Sequence, residues 1–173
     1  NGDGGLGGTF KNGKSGMVFA NAIATGENTF AGAVGIAADS PNNGIYILNN
    51  GLIAAYAEGA EAQATGIAIG SSIPTMIGAP IEPTAIATIE NHADIWAGIS
   101  TDGGDTVLRG NAINTQYSNN AVTILLENNS PANIFGNIQI SDDDQVFVQN
   151  GTTNFDGVIN PDTMLEGSLT IRS

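Results

Sequence analysis

Five aspartates in two polar turns are the residues of this chain best suited to hold a metal ion. Carboxylates are hard oxygen ligands, and Ca²⁺ collects about six to eight such oxygens. Neither turn has the ligand spacing of an EF-hand, and GGDTVLRG matches the calcium-binding nonapeptide repeat only in part. The sequence leaves two interpretations open, a calcium site or solvated turns. The candidate ligands are Asp102, Asp105, Asp142, Asp143 and Asp144.

The only histidine of the chain is His92, two residues before Asp94. A catalytic histidine needs a positioned nucleophile and a group that orients the imidazole, and no nucleophile motif is present in the sequence. We therefore expect His92 to be a solvent-facing turn residue. We predict no catalytic residue and no cofactor other than the calcium considered above.

Seventeen acidic residues leave room for the paired carboxylates of a glycoside hydrolase. Such sites usually also need basic and aromatic groups that hold the sugar, and Arg109 is the only cation in the interior of the sequence. A polysaccharide-binding or polysaccharide-cleaving protein is therefore the alternative to a protein without enzymatic activity.

The charge of the chain restricts its partners. Four Lys and Arg residues stand against 17 Asp and Glu, which gives a formal net charge of −13. This field repels phosphate backbones and anionic lipids, so we expect no nucleic-acid partner. No apolar run approaches the about 18 residues of a membrane helix, and we expect no membrane insertion. The absence of cysteine excludes disulfides and thiolate sites.

A strand, an asparagine corner and a second strand recur along the chain. The clearest copy is IYILNNGLIAAYA at residues 45–57, and similar outlines begin at Ala87, Val122 and Gln145. Short β-branched runs of this kind, separated by Asn and Gly, are typical of strands and turns. A recurring unit of this type is the signature of a repeat architecture.

The spacing of the corner asparagines predicts how the strands are arranged. The intervals from Asn49 through Asn91, Asn111 and Asn128 to Asn150 are 42, 20, 17 and 22 residues. If the first interval spans two turns, the pattern fits an all-β, single-domain parallel β-solenoid (β-helix) with turns of about 20 residues. Asparagine suits such corners because it tolerates left-handed backbone and forms side-chain ladders. The alternative is a β-sandwich or jelly roll, because Asn-Gly pairs also mark antiparallel hairpins.

Two regions follow from this interpretation. Residues 1–16 are rich in glycine, and we expect a flexible segment that becomes ordered as a strand donated to a partner. Residues 17–173 form the predicted β-solenoid domain.

Two segments, NNGLIAAYAEGAEAQATGIAIG and NGTTNFDGVINPDTMLEGSLTI, resemble the repeats of pertactin-like passenger regions of bacterial autotransporters and surface adhesins. The resemblance covers roughly residues 35–171 and rests on the style of the repeats. It implies a secreted, right-handed parallel β-helix displayed on a Gram-negative cell surface.

These observations together predict a non-enzymatic structural or adhesive protein that is extracellular, on a bacterial cell surface. The open ends of a solenoid expose unpaired backbone groups, so we expect self-assembly into a homopolymer, either a filament or a surface layer. The solenoid ends or the N-terminal strand would form its contacts. Surface glycans and other cells are the further partners that we expect.

Overall fold

The computed structural model of the protein describes residues 8–38, 44–70, 87–118, 121–127, 132–141 and 143–159, and the backbone of residues 168–171. Within these ranges every regular element is a β-strand. None of the described residues belongs to a helix that is long and apolar enough to cross a membrane. The strands are β1 Gly8–Asn12, β2 Met17–Ile23, β3 Phe30–Ala38, β4 Ile45–Asn49, β5 Leu52–Glu58, β6 Glu61–Gly70, β7 Ala87–Asn91, β8 Ile95–Ser100, β9 Leu108–Arg109, β10 Asn111–Tyr117, β11 Val122–Glu127, β12 Ala132–Phe135, β13 Asn137–Gln139, β14 Gln145–Gln149, β15 Thr153–Asp156 and β16 Ser168–Ile171.

The strands form three sheets that the chain visits in a fixed order. Sheet A has the order β1-β4-β7-β11-β14-β16, sheet B β2-β5-β8-β12-β15, and sheet C β3-β6-β10-β13. Apart from β9, which joins β8 in sheet B, consecutive strands lie in different sheets, and from β1 to β15 the chain passes through sheets A, B and C in turn. The strands within each sheet are parallel, and the short β9, which pairs antiparallel with β8, is the exception among the described residues.

The hairpin interpretation is wrong for the Asn-Gly pairs at residues 50–51 and 150–151, and Asn43 of the third pair lies outside the described residues. Asn50 and Gly51 connect β4 of sheet A to β5 of sheet B, and Asn150 and Gly151 connect β14 to β15 in the same way. These pairs are corners between sheets. Asn150 has the left-handed φ of 54° that asparagine accepts more readily than most residues.

Alternation of apolar and polar residues explains why these segments are strands with one buried face. In β4, β7 and β11 every second residue is buried and the intervening residues are partly exposed. Parallel register places like residues on top of one another, so Ile47, Ile89 and Ile124 form one buried column in sheet A. Stacking of β-branched side chains on a pleated surface is the packing that favours such residues in strands.

Sheet C carries a longer column of the same kind. Ile36, Ile67, Ile113 and Ile138 pair successively, and an isolated bridge adds Ile159. A second cluster of buried residues contains only alanines, contributed by β3, β5 and β6. This cluster packs sheet B against sheet C, and the alanine-rich stretch of residues 54–70 contributes three of its small side chains.

The predicted regular turn of about 20 residues holds only towards the C-terminus. Paired side chains lie 22 residues apart at Glu127 and Gln149, but Asn49 contacts Asn91 directly, 42 residues away. The first interval is therefore one long turn, and its interpretation as two short turns is wrong. Residues 71–86, which lengthen this turn, lie outside the described residues.

Part of the glycine-rich N-terminal segment is a strand of the same chain. Gly8–Asn12 pairs in parallel with Ile45–Asn49, and the Asn12 side chain is buried. Residues 1–7 lie outside the described residues. Donation of a strand to a second molecule stays a prediction.

Candidate functional site

Asp102 organises the loop between β8 and β9. Its Oδ1 accepts hydrogen bonds from the Ser100 hydroxyl at 2.8 Å and from the Thr106 backbone N–H at 2.9 Å. The Ser100 hydroxyl in turn accepts the Gly104 N–H at 2.9 Å. Hydrogen bonds from the Thr106 side chain, and then from its backbone, lower the pKa of Asp102 because they favour the ionised carboxylate. Asp105 is exposed in the same loop.

Asp144 is a buried carboxylate whose oxygens accept hydrogen bonds from neighbouring residues of the protein. It is 1 % exposed, and its Oδ1 accepts the Val122 N–H at 2.7 Å. Its Oδ2 accepts the Thr115 hydroxyl at 2.6 Å and the Ser141 N–H at 2.7 Å. Asp144 thereby joins the start of β11 to β10 and to the turn before β14, whereas Asp143 points to solvent.

The structure does not bring the predicted calcium ligands together into one group. Asp142 lies outside the described residues. Within the described part of the chain, no three of the other candidates have carboxylate oxygens within 4.8 Å of one another. These candidates are Asp102, Asp105, Asp143 and Asp144. Calcium binding stays a prediction for these residues.

A different group of three potential metal ligands lies within this distance on the outer face of sheet A. Glu90, His92 and Glu127 each place one ligand atom within 4.8 Å of the others. Glu90 is in β7, His92 follows that strand, and Glu127 ends β11. Because Leu126 pairs with Asn91, Glu127 lies one position further along its strand, beside His92.

Hydrogen bonds hold this group in place. Nε2 of His92 lies 2.6 Å from Oε1 of Glu90, and the Tyr46 hydroxyl donates to Oε2 of the same carboxylate. The Gln149 amide donates to Oε1 of Glu127. The side chains of His92 and Glu90 are only 19 % and 25 % exposed, so His92 differs from the solvent-facing turn residue that we expected.

The electrostatics of the group follow from these contacts. The pKa of Tyr46 is raised to about 12, first by the hydrogen bond from its hydroxyl to Glu90 and then by partial burial. Hydrogen bonds from Tyr46 and then from His92 lower the pKa of Glu90, against the opposing effect of burial. An imidazole nitrogen and two carboxylates at this spacing form a donor set that can coordinate a divalent transition metal.

Sequence reasoning missed this group because Glu127 lies a whole turn of the chain away from Glu90 and His92. The signal that could have found it is the alternating pattern shared by ATIEN and VTILLE, which aligns β7 with β11. That alignment places Glu127 beside His92 once the two strands are taken as neighbours in a parallel sheet.

A row of aromatic side chains runs along the outer face of sheet B. Trp96 stacks on Phe135 with ring centroids 5.6 Å apart and planes at 15°, and Tyr56 lies 6.1 Å from Trp96 on the other side. The guanidinium of Arg109 lies 5.9 Å from the Phe135 centroid and forms an ion pair with Asp156. The interior cation of the sequence is thus engaged by this row.

The N-terminal end of the sheets combines open strand edges with exposed apolar side chains. Strands β1, β2 and β3 are the terminal strands of sheets A, B and C, respectively, and no described strand pairs with their outer edges. On β2 the side chains of Met17 and Phe19 are 70 % and 62 % exposed. The equivalent outward side chains of inner strands, such as Trp96, are half-buried because strands flank them on both sides.

No family model matches the chain, and neither a curated protein nor a solved structure matches it.

Proposed function

We propose that the protein is a non-enzymatic β-solenoid with a structural or adhesive function that assembles end to end into a homopolymer. The observation that carries this proposal is the open edge of β1, β2 and β3 beside the exposed side chains of Met17 and Phe19. A second copy of the chain is the occupant that best fits this edge.

The solenoid interpretation is supported by the order in which the chain visits the sheets. Five successive strands of sheet A, β4 to β16, each follow passage through sheets B and C, with the bridge at Ile159 standing in for a sheet C strand in the last turn. Buried columns run along the stack in sheets A and C. Each turn then buries its inward residues against its neighbours, which is how repeat proteins obtain a continuous core.

The end-to-end contact follows from the parallel arrangement. All strands of one sheet run in the same direction, so a strand at the far edge, such as β15 of sheet B, can pair in parallel with β2 of a second molecule. An unpaired edge presents N–H and C=O groups ready for such pairing. Because the two surfaces in contact differ, the association is head-to-tail and grows without closing.

The extracellular, bacterial-surface location is part of the same proposal. It is supported by the resemblance of residues 49–70 and 150–171 to autotransporter passenger repeats. A net charge of −13 favours solubility and keeps the side faces of neighbouring molecules apart, which leaves the ends for association.

Assembly can be tested by light scattering and negative-stain electron microscopy over a range of protein concentrations. We expect linear particles whose length increases with concentration, and we expect Phe19→Lys to prevent their growth. The matched control is Val107→Lys, because Val107 is also an exposed apolar residue but lies in the loop before β9. Monodisperse single molecules of the wild-type protein at millimolar concentration would contradict the proposal.

The second candidate function is polysaccharide binding, which the aromatic row on sheet B favours. A shallow depression beside the row is lined by Phe135, Phe155 and the amide side chains of Asn133 and Asn154, and aromatic and amide groups are common in sugar sites. Stacking of Trp96 on Phe135 covers one face of each ring, which limits how sugar rings could stack there. Trp96 is the only tryptophan, so its fluorescence reports directly on this face. Unchanged Trp96 emission across a panel of neutral and acidic glycans would dismiss this candidate.

A further inference from the structure

We propose that Glu90, His92 and Glu127 form a binding site for a divalent transition-metal ion of the zinc class. The site lies on the outer face of sheet A and joins two successive turns of the chain. It is independent of the end surfaces on which the proposed assembly depends.

The distances between the three side chains are close to those of a coordinated ion. A tetrahedral Zn²⁺ with bonds of about 2.0–2.2 Å places its ligand atoms about 3.3–3.6 Å apart. The three ligand atoms already lie within 4.8 Å of one another. Nε2 of His92 and Oε1 of Glu90, at 2.6 Å, need to separate by about 1 Å for the ion to replace their hydrogen bond, which side-chain rotation can provide.

Two of the three ligands stand on paired strands, and neighbouring residues orient the group. Glu90 and Glu127 are held by the parallel pairing of β7 with β11, and the His92 backbone N–H donates to the carbonyl of Asn49 at 2.8 Å. Tyr46 donates to Glu90 and Gln149 donates to Glu127. Hydrogen bonds of this kind to ligating carboxylates are the outer contacts that orient ligands in metal sites.

The donor set selects the metal. Imidazole nitrogen favours Zn²⁺ and its transition-metal neighbours, whereas Ca²⁺ and Mg²⁺ prefer sites built from oxygen. One nitrogen and two carboxylate oxygens supply three protein ligands, and water completes the coordination as in sites with an open position. Two adjacent carboxylates also place negative charge where a cation is favoured.

Zinc binding can be measured directly on the single imidazole. Purified protein is treated with a chelator, dialysed and titrated with Zn²⁺ while the ring resonances of His92 are followed by NMR and the heat of binding by calorimetry. We expect one equivalent of Zn²⁺ to shift the His92 ring signals and to raise the melting temperature, because an ion that binds only the folded state stabilises it. The same concentration of Ca²⁺ is expected to leave the ring signals in place.

Three variants separate this site from general binding to an acidic surface. We expect Glu127→Gln and His92→Gln each to weaken Zn²⁺ binding at least tenfold, and Tyr46→Phe to weaken it less because Tyr46 only orients Glu90. Glu61→Gln is the matched control, since it removes one exposed carboxylate on sheet C, away from the site, and should bind Zn²⁺ like the wild type. Circular dichroism verifies that each variant is folded.

Two outcomes would overturn the proposal. One is that stoichiometric Zn²⁺ leaves the His92 ring signals unchanged. The other is that folded Glu127→Gln binds Zn²⁺ as tightly as the wild type, which would assign the binding to other acidic residues. Neither outcome bears on end-to-end assembly, which is measured separately.

Discussion

The side-chain amide of Asn49 donates a hydrogen bond to Oδ1 of Asn91 at 2.7 Å, although 42 residues separate the two in the chain. Asn12 continues the same line by donating to Oδ1 of Asn49 at 2.9 Å. All three side chains are buried. The amides of three successive turns therefore form a ladder inside the protein, and Leu126 occupies the next position in register.

Replacement of Asn49 by alanine should destabilise the protein strongly. The change leaves the Asn12 amide and the Asn91 carbonyl oxygen without this partner in a buried position, and each such group costs about 1–3 kcal/mol. Chemical denaturation should show the loss as a lower midpoint. Asn21→Ala is the control, because Asn21 is an exposed asparagine on β2, and a similar loss in both variants would contradict the importance of the ladder.

Gly66→Ala should also lower stability, for a steric reason. A Cβ at this position would lie 2.6 Å from the carbonyl oxygen of Ala112 and 2.8 Å from Cγ2 of Ile95. Relief of such crowding in a packed core typically costs about 1–3 kcal/mol. A Cβ at Gly13 would meet no atom within 4 Å, so Gly13→Ala should have little effect in the same thermal-unfolding measurement. Equal melting temperatures for the two variants would refute this packing argument.

Asp144→Asn tests the buried carboxylate. The added NH₂ group would face one of the donors that now bind the two oxygens, the N–H groups of Val122 and Ser141 and the Thr115 hydroxyl. We expect a loss of about 1–3 kcal/mol in the free energy of unfolding. The neighbouring exposed Asp143 provides the control Asp143→Asn, which should retain wild-type stability in urea titration. Equal stability of the two variants would show that these hydrogen bonds contribute little.

The pH dependence of the loop after β8 should depend on Thr106. The pKa of Asp102 is lowered in the folded protein, so the ionised carboxylate stabilises the loop at pH values above its ordinary pKa. This contribution disappears as the pH falls through the folded pKa. Thr106→Val removes the hydroxyl and should raise the Asp102 pKa towards its ordinary value, so that the loss begins at higher pH. Carboxyl carbon chemical shifts measure this pKa, Thr101→Val is the control, and an unchanged Asp102 pKa would contradict the assigned cause.

The strand pattern was predictable from the sequence because it depends on local alternation. IYILN and ATIEN each alternate buried and partly exposed residues. The buried asparagines that end the two segments, Asn49 and Asn91, form part of the side-chain ladder that the repeat predicted. Parallel pairing followed from the same repetition, since equivalent units that stack must run in the same direction.

The lengths of the turns and the metal-ligand group were not predictable in the same way. Both depend on which strands are neighbours, and residues 71–86 separate β6 from β7 without changing the pairing of Asn49 with Asn91. Asn111 resembled a corner in the sequence but belongs to β10 in sheet C. Glu90 and Glu127 become neighbours only through the register of β7 with β11, which becomes apparent only when the two segments are compared as neighbouring strands.

The unequal turns have a consequence for engineering and for evolution. Long turns of 37 and 42 residues separate Asn12 from Asn49 and Asn49 from Asn91. Short turns of 21 and 22 residues separate the hydrogen-bonded pairs Asn133–Asn154 and Glu127–Gln149 in the same protein. Extra residues between strands therefore leave the hydrogen-bonded ladders intact. The connection between β6 and β7, where the chain already tolerates 16 additional residues, is a natural position for inserting foreign peptides.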